Sequence, residues 1–366
     1  TPIPLIDQAL DIQYSKSTMI IRWSAVIAVI LIFIGLLSGA SSAQVSSWPI
    51  RALWYISEDP LGYASPAVPT DLRTLKERLC PTHVLLRIHL YQTGRATDDP
   101  HIDPRRTQPN GVLTRAITEA QKLGLKVVLL PALFVDDGTW AGVITPANVS
   151  RWFTRWREIV LHYARLAQSL NVDVLLIGAE LISMQRYSTE WERLIREVRG
   201  VFSGKVSYSA NWWYDRTGFQ NVLNMTHWAL LDYVGITAYF ELTNTHTPTV
   251  AQLRAAWQGD RHGQNILSDL ETLRQRYNKP IVFWELGYQS RDGTNIFPWD
   301  YTRRTPPDEQ EQADAYRAFL EVFSRQAGFE GYGLFAHQVG LPRDAVGYDL
   351  LGKQAESVIA TWHCKS

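Results

Sequence analysis

The chain has 366 residues, with 36 basic and 36 acidic side chains and 46% hydrophobic residues. That balance excludes a disordered chain and argues against a nucleic-acid surface, which needs a basic stripe. Fourteen tryptophans and sixteen tyrosines fit either a large aromatic core or an aromatic-lined cleft, where flat rings suit the faces of sugars.

The first 43 residues read as a targeting segment. Met19 to Arg22 forms a short basic n-region, Ala25 to Leu37 is an apolar run, and small residues at Ser41 and Ala43 suit cleavage before Gln44. Met19 is the expected start, which sets residues 1–18 aside. The apolar run is shorter than the ~20 residues of a membrane span. A cleaved signal peptide is therefore expected, with a secreted or extracytoplasmic protein. The alternative is a retained membrane anchor.

From residue 44 to 366 one domain is expected, built on a regular alternation. The first β-rich run is 50–56. "TDLRTLKERL" (70–79) follows as a helix with Thr70 or Asp71 as cap, then a strand at 84–89. "LTRAITEAQKLG" (113–124) is a helix closed by Gly124, leading into a strand at 126–133. Residues 145–170 are a longer helix, opened by Thr145 as N-cap and Pro146 at its first position. Further strands are expected at 172–180, 206–211, 233–239, 281–285 and 332–335. Helices lie at 189–200 and 308–328, with fainter ones near 220–230, 249–277 and 352–362. Eight strands alternating with helices imply a closed (β/α)₈ TIM barrel. An open doubly wound sheet would carry a glycine-rich turn after its first strand, and "WYISEDPLG" is not one.

Chemistry in such a barrel sits at the C-terminal ends of the strands. Strand four, "DVLLIGAE", ends in Glu180 and strand seven, "IVFWE", ends in Glu285. Two carboxyls facing across a barrel mouth meet the requirement for cleaving a glycosidic bond, one protonated and one ionised. In a retaining enzyme they would stand about 5–5.5 Å apart. Tyr239 from strand six can donate to the nucleophile, and Asn211 from strand five can hold a sugar hydroxyl. Trp212, His89 of strand two and Trp54 of strand one are further candidates at the mouth. The bland reading pairs both glutamates with arginines at the rim. No HExxH or GxSxG motif appears, so a metal hydrolase and a serine hydrolase lack their signatures. No metal or organic cofactor is implied.

The segments "LLIGAEL", "VSYSANW", "LDYVGITAYFEL", "KPIVFWELGYQS", "NIFPWDY", "EQADAYRAF" and "GKQAESVIATW" occur in this order. From about Trp140 onward the chain resembles glycoside hydrolase family 113, the retaining β-mannanases. The resemblance implies Glu180 as acid/base and Glu285 as nucleophile. It also places Asn211, Trp212, Tyr239 and Trp299 in sugar subsites. Two departures stand out. The family's lysine-proline-histidine at strand three is replaced by "LLPALFV", with Leu130 and Ala132. The paired tryptophans of strand eight are replaced by Ala336 and His337, so a more open or more polar floor is expected, with His337 at the substrate. The resulting expectation is a β-glycosidase acting on a β-linked polysaccharide or oligosaccharide, endo-β-1,4-mannanase-like. Transglycosylation and a non-catalytic carbohydrate-binding barrel are the alternatives. Finally, Cys80 and Cys364 should end the first and last helices, which are neighbours in a closed barrel. A disulfide is expected there in an oxidising compartment. The alternative is a buried Cys80 and a free tail.

Overall fold

The structure, a computed structural model, describes residues 48–341 and 344–364. The targeting segment lies outside them. Eight parallel strands close into a barrel in sequence order: β1 (Ile50–Ile56), β2 (His83–Gln92), β3 (Lys126–Val135), β4 (Val174–Ala179), β5 (Lys205–Asn211), β6 (Val234–Thr237), β7 (Ile281–Leu286) and β8 (Phe329–Gln338). β8 pairs with β1 to complete the ring. This is the (β/α)₈ architecture expected from the alternation.

The strands have two different faces. Outward residues such as Leu53, Leu86, Val127, Ile177 and Phe283 pack under the helices. Inward residues fill the barrel, and two tryptophans dominate that filling. The Trp54 indole donates to the Trp284 carbonyl at 2.7 Å, and the Trp284 indole donates to the Ser207 hydroxyl at 2.8 Å. Rings this large leave no room beside them. A Cβ at Gly235 would lie 2.3 Å from the Trp284 ring, and one at Gly333 would lie 2.5 Å from the Trp284 carbonyl. The two glycines are thus required by close approach.

The helices bury one face each. In the helix Val149–Ser169 the buried residues Trp152, Phe153, Trp156, Ile159, Val160 and Tyr163 recur at three- and four-residue steps. It starts three residues later than the sequence suggests, with Asn148 rather than Thr145 as its cap. Thr145 and Ala147 give their backbone N–H groups to the carbonyls of Arg95 and Ala96, which keeps that stretch extended. The Asn148 side chain then caps the helix through the Arg151 N–H at 2.9 Å. The faint 249–277 region is two helices, Val250–Ala256 and Ile266–Tyr277, parted by a turn around Asp260 and Gly263.

The face opposite the strand C-termini is closed by a seam between the helices Val68–Leu79 and Gln354–His363. Cys80 and Cys364, 284 residues apart in sequence, form a disulfide with Cα atoms 5.3 Å apart, as expected. Beside it, buried His363 donates from Nδ1 to the Leu79 carbonyl at 2.7 Å and accepts the Tyr332 hydroxyl at Nε2, also at 2.7 Å. Arg78 forks onto Glu356 at 2.5 and 2.6 Å across the same seam.

Candidate active site

Both glutamates reach the mouth through local breaks in regular pairing. β4 loses register with β5 between Leu176 and Ala179. Glu180 then takes a left-handed backbone, φ 55°, its N–H bonded to the Ser209 carbonyl at 2.8 Å. A non-glycine residue there is uncommon and strained. β7 shifts against β8 between Phe283 and Leu286. Trp284 therefore points inward and Leu286 outward, with Glu285 turned to the mouth between them. Bulges re-aim side chains in this way.

The two carboxyls are half-buried and sense each other. Burial pushes Glu180 up to about 7, against a 3.3 Å hydrogen bond from the Trp140 indole to its Oε2. Burial, then the Glu180 charge, push Glu285 up to about 8, against the Tyr239 hydrogen bond and the Arg87 charge. The Tyr239 hydroxyl donates to Glu285 Oε1 at 2.7 Å. Burial and the Glu285 charge hold that phenol far above its ordinary value, so it remains a donor.

Two residues at the pair were not singled out from the sequence. Arg87 points inward from β2, two residues before His89; its guanidinium is ion-paired to Glu58 and its Nε donates to His89 Nε2 at 3.0 Å. It is the cation that acts on Glu285. Trp140 arrives from the loop after β3. The strand end itself, with Leu130 and Ala132, is apolar as the sequence shows, and the polar contact comes from further along the chain. An arginine inside "VLLRIHL" breaks an apolar run in the same manner as Glu180, and that was the available signal.

The remaining candidates divide. Asn211 and Trp212 end β5 half-exposed, with the Asn211 amide donating to the Trp212 carbonyl at 3.2 Å. Trp299 stands in the loop after β7, 45% exposed. Three expectations need correction. Trp54 is 3% exposed with its N–H committed to Trp284, so it fills the barrel beneath the cleft. His89 is 3% exposed, packs edge-on to Phe134, and is pushed down to about 4 by burial and then Arg87. It accepts from Arg87 as a neutral ring and positions that residue. His337 turns outward and stacks on Tyr55 at 5.8 Å, whose hydroxyl reaches Asp71 of the first helix. The ring that β8 brings to the mouth is Phe335, half-exposed between Trp54 and Tyr348, each 5.2 Å away. The floor is thus aromatic, one residue earlier than the sequence reading placed it.

Comparison with known proteins agrees with this architecture. The model of Glycoside Hydrolase Family 113 matches residues 54–347. A solved family 113 β-1,4-mannanase complex is 22% identical with a TM-score of 0.76, covering 88% of this chain and 100% of that one. The family 113 β-mannanase of Alicyclobacillus acidocaldarius is 22% identical with a TM-score of 0.75, over 89% of this chain and 99% of that one. The endo-β-1,4-mannanase of Thermotoga petrophila is 10% identical with a TM-score of 0.55, over 88% and 78%. No curated protein matches the chain.

Proposed function

The chain belongs to glycoside hydrolase family 113, and from that premise we propose that it cleaves internal β-1,4-mannosidic linkages with retention of configuration. In this reading Glu285 is the nucleophile and Glu180 the acid/base. The single observation that carries it is the pair itself: two half-buried carboxyls from β4 and β7, each raised toward neutrality, with one phenol donating to Glu285.

Where the one shared proton resides decides the roles. Burial raises both carboxyls, Glu180 to about 7 and Glu285, beside the Glu180 charge, to about 8. Hydrogen bonding distinguishes the two, because it acts on a specific oxygen. A donor stabilises an ionised partner. Glu285 has the 2.7 Å Tyr239 bond and the Arg87 cation; Glu180 has only the longer indole contact. Glu285 is therefore the carboxylate, and burial beside that charge keeps Glu180 protonated.

The reaction follows from this. Glu180 gives its proton to the departing glycosidic oxygen while a Glu285 oxygen bonds to the anomeric carbon. Glu180, now ionised, removes a proton from water. That water oxygen displaces Glu285 from the anomeric carbon, and both residues return to their first state. The mannan assignment is supported by the names of the structural relatives. Work outside the cytoplasm is part of the same proposal, supported by the disulfide and by the apolar run before Gln44.

The test is to incubate the enzyme with β-1,4-mannan, β-1,4-glucan and xylan, sizing the products and following the first-formed anomer by proton NMR. Short manno-oligosaccharides appearing first as the β-anomer are expected. Release from another glycan but not from mannan would overturn the substrate. An α-anomer would overturn the double displacement.

A further inference from the structure

Glu241 lies two residues beyond Tyr239 on the loop that leaves β6, and it is 6% exposed. A carboxylate is rarely buried without partners, and this one has three. Its Oε1 accepts the Trp299 indole N–H at 2.8 Å. Its Oε2 meets His262 Nε2 at 2.7 Å and Arg261 Nη1 at 3.4 Å. Arg261 also donates to the Ile296 carbonyl at 3.0 Å, which ties the cation to the loop bearing Trp299.

Trp299 is fixed from its backbone as well. The Pro298 carbonyl before it accepts the Tyr348 hydroxyl at 2.6 Å, and the Asp300 carbonyl after it accepts the Gln289 amide at 3.0 Å. Tyr348 packs against Tyr239, ring centroids 6.2 Å apart, and Tyr239 holds Glu285. The indole is thus held at its edge by Glu241 and through its backbone by residues of the catalytic cleft, while 45% of the side chain's residue remains open to solvent. An exposed ring that is nevertheless anchored at three points has lost its conformational freedom before any ligand arrives. Such preorganisation favours binding.

We propose that Glu241 is a positioning residue that holds the Trp299 indole as a preformed platform for a sugar ring at the rim of the cleft. The inference rests on the glycosidase reading above and adds a residue to its substrate recognition. A carboxylate suits the position because it is acceptor-only and meets three donors at once. A glutamine there would turn an N–H₂ toward at least one of them.

The test compares Glu241→Gln, Trp299→Phe and the double variant on manno-oligosaccharides of increasing length. Glu241→Gln is expected to raise KM about fivefold to tenfold on the longer oligosaccharides, with kcat within about twofold. In the Trp299→Phe background the same change should have no further effect, since the interaction it removes is already gone. A fall in kcat at unchanged KM, or an equal effect in both backgrounds, would overturn the inference. Should Glu241→Gln fail to fold, Trp299→Phe decides alone: unchanged KM overturns it. If the wild-type enzyme cleaves no β-linked glycan, the glycosidase reading fails separately. The Trp299 indole N–H resonance in ¹⁵N-labelled protein then decides the anchor, and no shift in Glu241→Gln would refute it.

Discussion

The two ends of the barrel are built on opposite terms. At the closed end His363, Tyr332 and Leu79 satisfy one another, Arg78 forks onto Glu356, and Cys80 is bonded to Cys364. At the open end a left-handed glutamate and a bulged one crowd two carboxyls together, and Trp140 and Trp299 stand 46% and 45% exposed. One end is arranged for stability and the other for chemistry, and strain tolerated at the mouth is offset by the seam.

The comparison is broken most directly at the mouth. Glu285→Gln should lower kcat by ~10³-fold or more, while Tm stays level or rises as a crowded carboxyl is lost. Calorimetry alongside kinetics checks both, and a Tm falling with activity would make Glu285 a structural residue. Glu180→Gln should lower kcat by about 10²–10⁴-fold on substrates whose leaving group needs a proton. It should have much less effect on an activated aryl glycoside.

The seam predicts the reverse pattern. Cys80→Ser opens a loop of 284 residues. In the chain-entropy account this removes upwards of ~4 kcal/mol of stability. The Tm should fall by several degrees, and kcat at room temperature should not change. Loss of kcat at unchanged Tm would join the two ends that the comparison separates.

These contrasts were only partly legible in the sequence. The apolar runs of β4 and β7 made Glu180 and Glu285 conspicuous because a carboxylate ending a buried strand needs a reason. Tyr239 followed from its position after β6. The failures lie where local geometry, not strand or helix period, decides which way a side chain points. The resemblance set Ala336 and His337 at the floor, but Phe335 faces the cleft and His337 faces Tyr55. Trp54 is an aromatic at the right strand and the wrong depth. Trp140 and Glu241 sit on loops, where no period predicts which way a side chain points. The Thr145–Pro146 helix start was a sound local signal overridden by pairing with Arg95 and Ala96.

A smaller effect sharpens the account through pH. As a pair, the two carboxyls bind protons more tightly when folded than at the ordinary 4.5. Their contribution to stability is therefore fully present below about 4.5 and is lost as pH rises through about 7 to 8. The Tm should fall across that window, and less steeply in Glu285→Gln. Smallest of all, Trp140→Phe removes the hydrogen bond that lowers Glu180. The alkaline limb of kcat/KM should move to higher pH by a few tenths of a unit. A shift to lower pH would contradict the placement of the proton on Glu180.

The central claim, that Glu285 attacks and Glu180 delivers the proton, is tested by trapping the glycosyl-enzyme. In a 2-deoxy-2-fluoro-β-mannoside the fluorine slows both oxocarbenium-like steps, while an activated leaving group that needs no proton restores the first, so the intermediate accumulates. Peptide mapping by mass spectrometry then locates the sugar. The account predicts one fluoromannosyl adduct, on the peptide containing Glu285 and absent from Glu285→Gln. An adduct on Glu180 would contradict it.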